Sequence, residues 1–90
     1  MLTNIVIFNY LMIMKVTIEY MGFFKIEDVP SRSMLEVEGG TTVTDLLDHL
    51  HVKKEFRRYM IPLINRQRRE FETPLADGDH LFLYFPVGGG

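Results

Sequence analysis

One capped amphipathic helix, with strand-like segments on both sides, most constrains how this 90-residue chain can fold. Thr42 is a favourable N-cap residue, and Asp45 follows three residues later at the capping-box position. The apolar residues after the cap recur with helical spacing and predict one buried face: Val43, Leu46, Leu47 and Leu50. We therefore expect a helix that packs on a sheet formed by the rest of the chain.

Two segments before the helix alternate between polar and apolar residues, which is typical of half-buried strands. They are residues 15–20 and residues 34–38, and the loop between them predicts an antiparallel hairpin. The side chains expected to face the core are Val16, Ile18, Tyr20, Leu35 and Val37.

The chain after the helix predicts further strands joined by turns. The helical spacing of Phe56, Tyr59 and Met60 predicts a second short helix or a turn, and residues 61–65 predict a third strand. Residues 65–69 predict a polar turn and residues 70–72 a short strand. Residues 75–79 predict a turn in which Gly78 can take positive φ, and residues 81–85 predict the last strand. The last strand is almost continuously apolar, which predicts a central position with both faces buried.

This order of elements predicts an α+β domain, with a mixed four- to five-stranded sheet packed on one main helix. The connection after the second strand is long enough for a parallel partner, so we expect the first and last strands to lie side by side at the centre. Residues 14–87 are expected to form this single domain. Residues 1–13 form an apolar extension, too short to span a bilayer and unlike a signal peptide, which could reflect a misplaced start.

Three consecutive glycines, Gly88, Gly89 and Gly90, follow the last predicted strand. Because glycine loses the most conformational freedom on folding, composition alone favours a flexible tail at residues 88–90. Such a tail can nevertheless enter a channel too narrow for residues with a Cβ, and it ends in a carboxylate that can do chemistry. Both interpretations remain open at this point.

Basic residues are concentrated in one part of the chain, since residues 53–69 hold seven of them and one acidic residue. Two explanations of this cluster are open: a solvated surface, or a docking site for an acidic partner. In the second case Arg66, Arg68 and Arg69 would steer the partner. Nucleic acid is a poor candidate partner because no reading motif accompanies the charge. We expect no metal site, because His49 and His51 point about 200° apart on a helix, and the chain has no cysteine.

Several motifs resemble the ubiquitin-like β-grasp fold and, within it, the ThiS/MoaD family of sulfur-carrier proteins. Residues 15–18 resemble the family's first strand, residues 40–47 its helix start, and residues 64–66 its following turn. Residues 75–81 are similar to its L-x-D-G-D-x-V segment, and residues 85–90 resemble its P-P-V-x-G-G ending. The sequence departs from the family at residues 1–13, which have no counterpart, at Arg66, where glycine is frequent, and in its third terminal glycine.

The resemblance implies a carrier protein rather than an enzyme. The carboxylate of Gly90 would be adenylated by an ATP-using partner related to ubiquitin-activating enzymes, and sulfur from a donor would replace AMP to give a thiocarboxylate. No cofactor would be bound to the chain itself. The tail residues that would enter a partner are Phe85, Pro86, Val87, Gly88 and Gly89.

The resemblance leaves the pathway and two alternative functions open. Residues 85–87 favour delivery of sulfur to a pterin in molybdenum cofactor biosynthesis, with the large subunit of molybdopterin synthase as partner. Thiamine biosynthesis, with a thiazole synthase as partner, comes next. The alternatives are a ubiquitin-like modifier conjugated to lysines through Gly90, and a β-grasp binding module with an inert tail. A cytoplasmic protein without a membrane partner is expected.

Overall fold

A five-stranded mixed sheet and two helices make up the part of the chain that the structure, a computed structural model, describes: residues 13–21 and 24–86. The elements are β1 (Ile13–Tyr20), β2 (Ser33–Glu38), α1 (Val43–His49), α2 (Lys54–Arg57), β3 (Ile61–Ile64), β4 (Gln67–Arg68) and β5 (His80–Tyr84). The predictions for the glycine tail and for the N-terminal extension fall outside the described residues, except that Ile13 already begins β1.

The order of strands across the sheet is β2-β1-β5-β3-β4. β1 pairs with β2 in an antiparallel hairpin, β5 lies parallel to β1, and β3 pairs antiparallel with both β5 and β4. The predicted α+β fold, the hairpin and the central parallel pair are therefore confirmed. Because β5 is central, the described chain ends at Pro86 beside the middle of the sheet.

The capping box predicted for the main helix is present at the start of α1. The amide of Asp45 donates to Thr42 Oγ1 at 3.0 Å, and the amide of Thr42 donates to Asp45 Oδ2 at 3.1 Å. The apolar face of α1 then packs on the sheet, with Val43, Leu46 and Leu47 buried. Leu50, at the C-cap, is partly buried against the same core.

Replacing the N-cap residue should destabilise the domain measurably. Thr42→Ala removes the hydroxyl that accepts from Asp45, so we expect the free energy of unfolding to fall by about 1 kcal/mol and Tm by about 4–8 °C. Thr42→Ser keeps a hydroxyl and should leave Tm close to the original value. Thermal denaturation followed by circular dichroism measures both, and equal losses for the two variants would contradict the capping role.

All of the helix packing lies on one side of the sheet. The fully buried strand residues alternate along β1 and β5 and face α1: Val16, Ile18, Leu81 and Leu83. The prediction that the last strand is buried on both faces is therefore wrong, because Tyr84 is 38% exposed and Phe82 only partly buried. The physical reason is that, within the described residues, the helices cover one face only, so that alternate residues of this central strand remain accessible.

The short strand also lies elsewhere than predicted. It is β4, directly after a two-residue turn, whereas residues 71–72 form a turn. Asn65 and Arg66 both have positive φ, at 51° and 72°, which is typical of the tightest hairpin turns. Asn65 suits this turn because its side chain donates to Asp79 Oδ1 at 2.9 Å and accepts from the amide of His80 at 3.0 Å. The polar turn is therefore two residues long rather than five.

The turn before β5 is confirmed and connects the two central strands. Gly78 has a φ of 87°, a conformation that favours glycine, and its amide donates to the carbonyl oxygen of Lys15 at 2.7 Å. Asp77 Oδ1 accepts from the amide of Lys15 at 2.8 Å. These bonds fix the start of β5 against β1, and hence the path of the chain toward its terminus.

Candidate functional site

The chain leaves the described fold at Pro86, at the end of β5 next to α2. A shallow cleft of about 480 Å³ surrounds this point, and we call its lining the tail exit: Arg58, Tyr59, Met60, Ile61, Arg68, Phe85 and Pro86. Phe85 and Pro86 were predicted from sequence as partner-binding residues. The three residues predicted after them, Val87, Gly88 and Gly89, lie outside the described residues together with Gly90.

Phe85 is the last buried residue in the described part of the chain. Its side chain is only 8% exposed, and its ring centroid lies 5.6 Å from that of Phe24 and 6.5 Å from that of Tyr59. The Tyr59 ring is nearly parallel to it, at 14°, and the amide of Phe85 donates to Met21 Sδ at 3.4 Å. Phe85 is therefore an internal anchor, and Pro86 is the first exposed residue beyond it.

Tyr59 and Arg58 form the exposed side of the tail exit. Tyr59 is 58% exposed although it stacks on Phe85, and the guanidinium of Arg58 lies 5.6 Å from the centroid of its ring. The neighbouring Arg57 points inward instead, where it contacts Asp48 Oδ1 at 2.8 Å and donates to the carbonyl oxygen of Val52. An aromatic residue with a cation over its ring is thus held beside the tail.

The structure separates the three arginines that were grouped in the sequence prediction. Arg68 lines the tail exit, and it also lies opposite Leu63 in the β3–β4 pair. Arg66 lines a different cleft, on the outer face of the sheet. Arg69 lines a third cleft, where it donates to Gln67 Oε1 at 2.8 Å. Arg68 is therefore the one of the three that shares the tail exit with Pro86.

The face of the sheet that the described helices leave uncovered carries an apolar surface that was not predicted from the sequence. We call it the outer patch, and it consists of Ile61, Leu63, Phe82 and Tyr84. In the β3–β5 pair Ile61 lies opposite Tyr84 and Leu63 opposite Phe82, and the two aromatic rings are 6.1 Å apart. Since Ile61 also lines the tail exit, the outer patch and the tail exit are continuous.

Polar residues border the outer patch on the side away from the tail exit. They line a cleft of about 540 Å³ whose apolar members are Leu63 and Phe82. The polar members are Glu19, Asn65, Arg66 and His80. Glu19 Oε1 lies 2.7 Å from His80 Nε2, so that the rim is fixed by side-chain contacts. An apolar centre with a polar rim is the usual anatomy of a protein-binding surface.

The signal for the outer patch was present in the sequence. Side chains alternate across a strand, so one helical layer can cover only every second residue of a central strand. The almost continuous apolar run at residues 81–85 therefore leaves apolar side chains on the uncovered face.

The described residues form no metal-binding cluster. Among residues 13–21 and 24–86, no three His, Asp or Glu side chains are placed to hold a metal ion. Neither helix in this part of the chain has the length and hydrophobicity needed to cross a membrane. What the arrangement provides is an anchored chain exit next to an exposed apolar surface with a polar rim.

Solved structures of similar fold include three that match nearly their full length. A Haloferax volcanii protein, HVO 2177, superposes with a TM-score of 0.69 at 20% identity, over 88% of this chain and 89% of its own. The small archaeal modifier protein 1 of the same organism superposes with a TM-score of 0.61 at 24% identity, over 82% and 99%. Both show the fold.

The third structure is a complex of subunits 1 and 2 of the molybdopterin-converting factor from Helicobacter pylori. It matches at 26% identity with a TM-score of 0.54, over 86% of this chain and 100% of the matched one. No curated protein is a significant match. The ThiS family model matches residues 19–90, which is most of the chain. The protein therefore belongs to the ThiS family, whose members are small ubiquitin-fold carrier proteins or synthase subunits.

Proposed function

We propose that this protein carries sulfur as a thiocarboxylate on Gly90 and delivers it as the small subunit of a molybdopterin-type synthase. Family membership supports a carrier, and the similarity to a molybdopterin-converting factor in complex with its second subunit favours this pathway. The observation that carries the proposal is the anchored Phe85, which is followed by five residues that end in three glycines. A buried anchor residue followed by glycines, which have no side chains, suits insertion of the C-terminus into another protein's active site.

The chemistry is placed on the terminal carboxylate because a carboxylate is a poor electrophile until one oxygen becomes a leaving group. In the proposed first step, an oxygen of the Gly90 carboxylate attacks the α-phosphorus of ATP on an activating enzyme and releases pyrophosphate. In the second, sulfur at the oxidation level of sulfide attacks the carbonyl carbon. AMP leaves with the original oxygen, and a thiocarboxylate remains.

The distance that the terminus can reach is set by the tail length. The four residues after Pro86 extend to at most about 14 Å, at about 3.5 Å per residue. Glycine at the last three positions means that no Cβ limits the width of the channel that they enter. The active sites for adenylation and for sulfur delivery must therefore both lie within this reach of the tail exit.

The outer patch and the tail exit are proposed as the surface on which the large subunit docks. Together they bring apolar side chains, two exposed tyrosines (Tyr59 and Tyr84) and two cations (Arg58 and Arg68) next to the tail. Aromatic residues and arginine are the residue types that most often dominate binding energy at interfaces. A partner seated here would receive the tail directly.

Truncating the exposed aromatic residue of the outer patch should weaken this docking. Tyr84→Ala is expected to raise the Kd for the purified large subunit by about tenfold or more, in the range of interface hot spots. Glu72→Ala is the matched control, because Glu72 is exposed and lines neither the outer patch nor the tail exit. Isothermal titration calorimetry measures both, and an unchanged Kd for Tyr84→Ala would place the docking surface elsewhere.

The proposed function is tested by the mass of the intact protein. After incubation with its activating enzyme, ATP and a sulfur donor, the mass should rise by the difference between sulfur and oxygen, localised to Gly90. Omitting ATP should prevent the change. An unmodified terminus under conditions that support activation would contradict the proposal. Co-purification of a thiazole synthase instead of a molybdopterin synthase subunit would keep the carrier chemistry and change the pathway.

A further inference from the structure

β2 is an open edge of the sheet. Within the described residues it pairs with β1 on one side and with no strand on the other. An edge strand presents backbone N–H and C=O groups that can pair with an added strand. β2 has six residues, whereas β4 at the opposite edge has only two. The β2 edge is therefore the one that offers the length for pairing with another segment.

A groove of about 330 Å³ runs between this edge and α1, and we call it the β2 groove. Its lining residues are Glu36, Val37, Glu38, Thr41, Asp45, Leu46 and His49. Val37 is partly buried on the inner face of β2, and Leu46 belongs to the buried face of α1, so both supply an apolar floor. An added strand would therefore find apolar contacts as well as backbone partners.

The rim of the groove is acidic. Glu36 and Glu38 are exposed, and neither forms an ion pair within 4 Å with another side chain of the described residues. Lys15 lies opposite Glu36 on β1, while Glu38 lies opposite the apolar Ile13. Asp45 adds a third carboxylate, although the amide of Thr42 donates to it. The edge thus carries three carboxylates beside the backbone of β2, although the carbonyl oxygen of Glu38 already accepts from the amide and the hydroxyl of Thr41.

We propose that the β2 groove binds an extended, cationic segment of a partner protein, which adds to the sheet as a strand next to β2. Because side chains alternate along a strand, every second residue of the segment lies over Val37 and Leu46 and is apolar. The others lie on the outer side beside Glu36 and Glu38 and are lysine or arginine. Backbone pairing supplies affinity, and the alternating side chains supply specificity.

A second copy of this chain does not fit the same edge. Pairing two β2 strands would bring the glutamates of one copy next to those of the other, and like charges across a strand pair are destabilising. Arg66, Arg68 and Arg69 lie around β4 at the other edge, but β4 is too short to serve as an extended partner strand. The charge pattern therefore selects a partner protein with a basic strand.

Binding at the β2 groove leaves the tail exit free. Since β1 is antiparallel to β2 and parallel to β5, Glu36 and Glu38 lie toward the end of the sheet opposite to Phe85. β1 also separates β2 from β5. One partner can thus hold the protein by its edge while another receives the tail. The inference is independent of the proposed sulfur chemistry.

The test is a titration of the isotope-labelled full chain, followed by amide chemical shifts. The probe is a six-residue peptide with capped ends that alternates valine and lysine, and the comparison peptide has glutamate in place of lysine. We expect saturable shifts in β2 and in the groove-facing residues of α1 with the lysine peptide only. The double variant Glu36→Gln, Glu38→Gln should weaken binding by about fivefold, as two exposed ion pairs would.

The control variant removes the same charge elsewhere: Glu70→Gln, Glu72→Gln, at two exposed residues beyond β4. Its affinity for the lysine peptide should match that of the original chain. Equal weakening by both double variants, shifts centred on the outer patch, or no saturable shift with either peptide would overturn the proposal. Concentration-dependent shifts in β2 without peptide would overturn it in favour of a second copy.

Discussion

Deleting Gly89 and Gly90 should abolish thiocarboxylate formation and leave the fold unchanged. The shortened chain still ends in a glycine carboxylate, but this group is withdrawn from the activating site by about 7 Å, at about 3.5 Å per residue. Since a misplacement of about 1 Å can cost a reaction about 100-fold in rate, the expected loss is at least 100-fold. Single-turnover activation, followed by intact mass, measures it.

Deleting Gly90 alone addresses whether the third glycine matters. The chain then ends in two glycines, the commoner ending in the family it resembles, and its carboxylate is withdrawn by about 3.5 Å. If the tail length is matched to the partner, activation falls at least tenfold for this variant also. Full activity would show that the reach needed is one residue shorter than the tail.

The free energy of unfolding of both deletion variants is the control that separates a loss of chemistry from a loss of fold. The deleted residues lie beyond Phe85, the last anchored side chain, so the free energy of unfolding should change by less than about 0.5 kcal/mol. Full thiocarboxylate formation by the variant that lacks both Gly89 and Gly90 would contradict the predicted reach of the tail. An inactive variant with lowered Tm would show instead that the tail contributes to the fold.

Much of the fold could be predicted because its determinants are local. The N-cap at Thr42, the alternation along β1 and the positive φ of Gly78 each depend on neighbouring residues, and each is confirmed. The position of β4 could not be predicted in the same way. It depends on a two-residue turn that is fixed by contacts of Asn65 with Asp79 and His80, which are distant in sequence.

The candidate site was harder to predict than the fold. The terminal glycines were evident in the sequence, but the surface around the tail is assembled from α2, β3, β4 and β5. Tyr59 belongs to it only because its ring stacks on Phe85, and Tyr84 because the face of β5 that carries it is left uncovered. Such contacts between separate elements follow from the tertiary packing, which the periodicity of a single segment does not encode.

Leu83→Ala should be among the most destabilising single substitutions in the domain. Leu83 is 0% exposed, and in the sheet it lies between Tyr20 on β1 and Pro62 on β3. Truncating a fully buried leucine costs about 3 kcal/mol, within a usual range of about 2–5. Domains have a total stability of only about 5–15 kcal/mol, so we expect Tm to fall by about 10–20 °C.

Tyr84→Ala is the matched control, because Tyr84 is the next residue on β5 and faces the opposite side of the sheet. Since Tyr84 is 38% exposed, its truncation should lower the free energy of unfolding by about 1 kcal/mol or less. Urea denaturation at 25 °C measures both variants. Equal destabilisation by the two would contradict the one-sided burial of β5.

Leu83→Ala should have the larger effect on stability, whereas Tyr84→Ala should have the larger effect on binding to the large subunit. Below its Tm, Leu83→Ala keeps the outer patch intact and should bind the large subunit nearly normally, while Tyr84→Ala should bind at least about tenfold more weakly. The two variants differ in this way because one face of β5 packs against α1, while the other face is exposed beside the tail exit. Loss of binding by Leu83→Ala alone would mean that docking depends on the rigidity of β5 rather than on its exposed side chains.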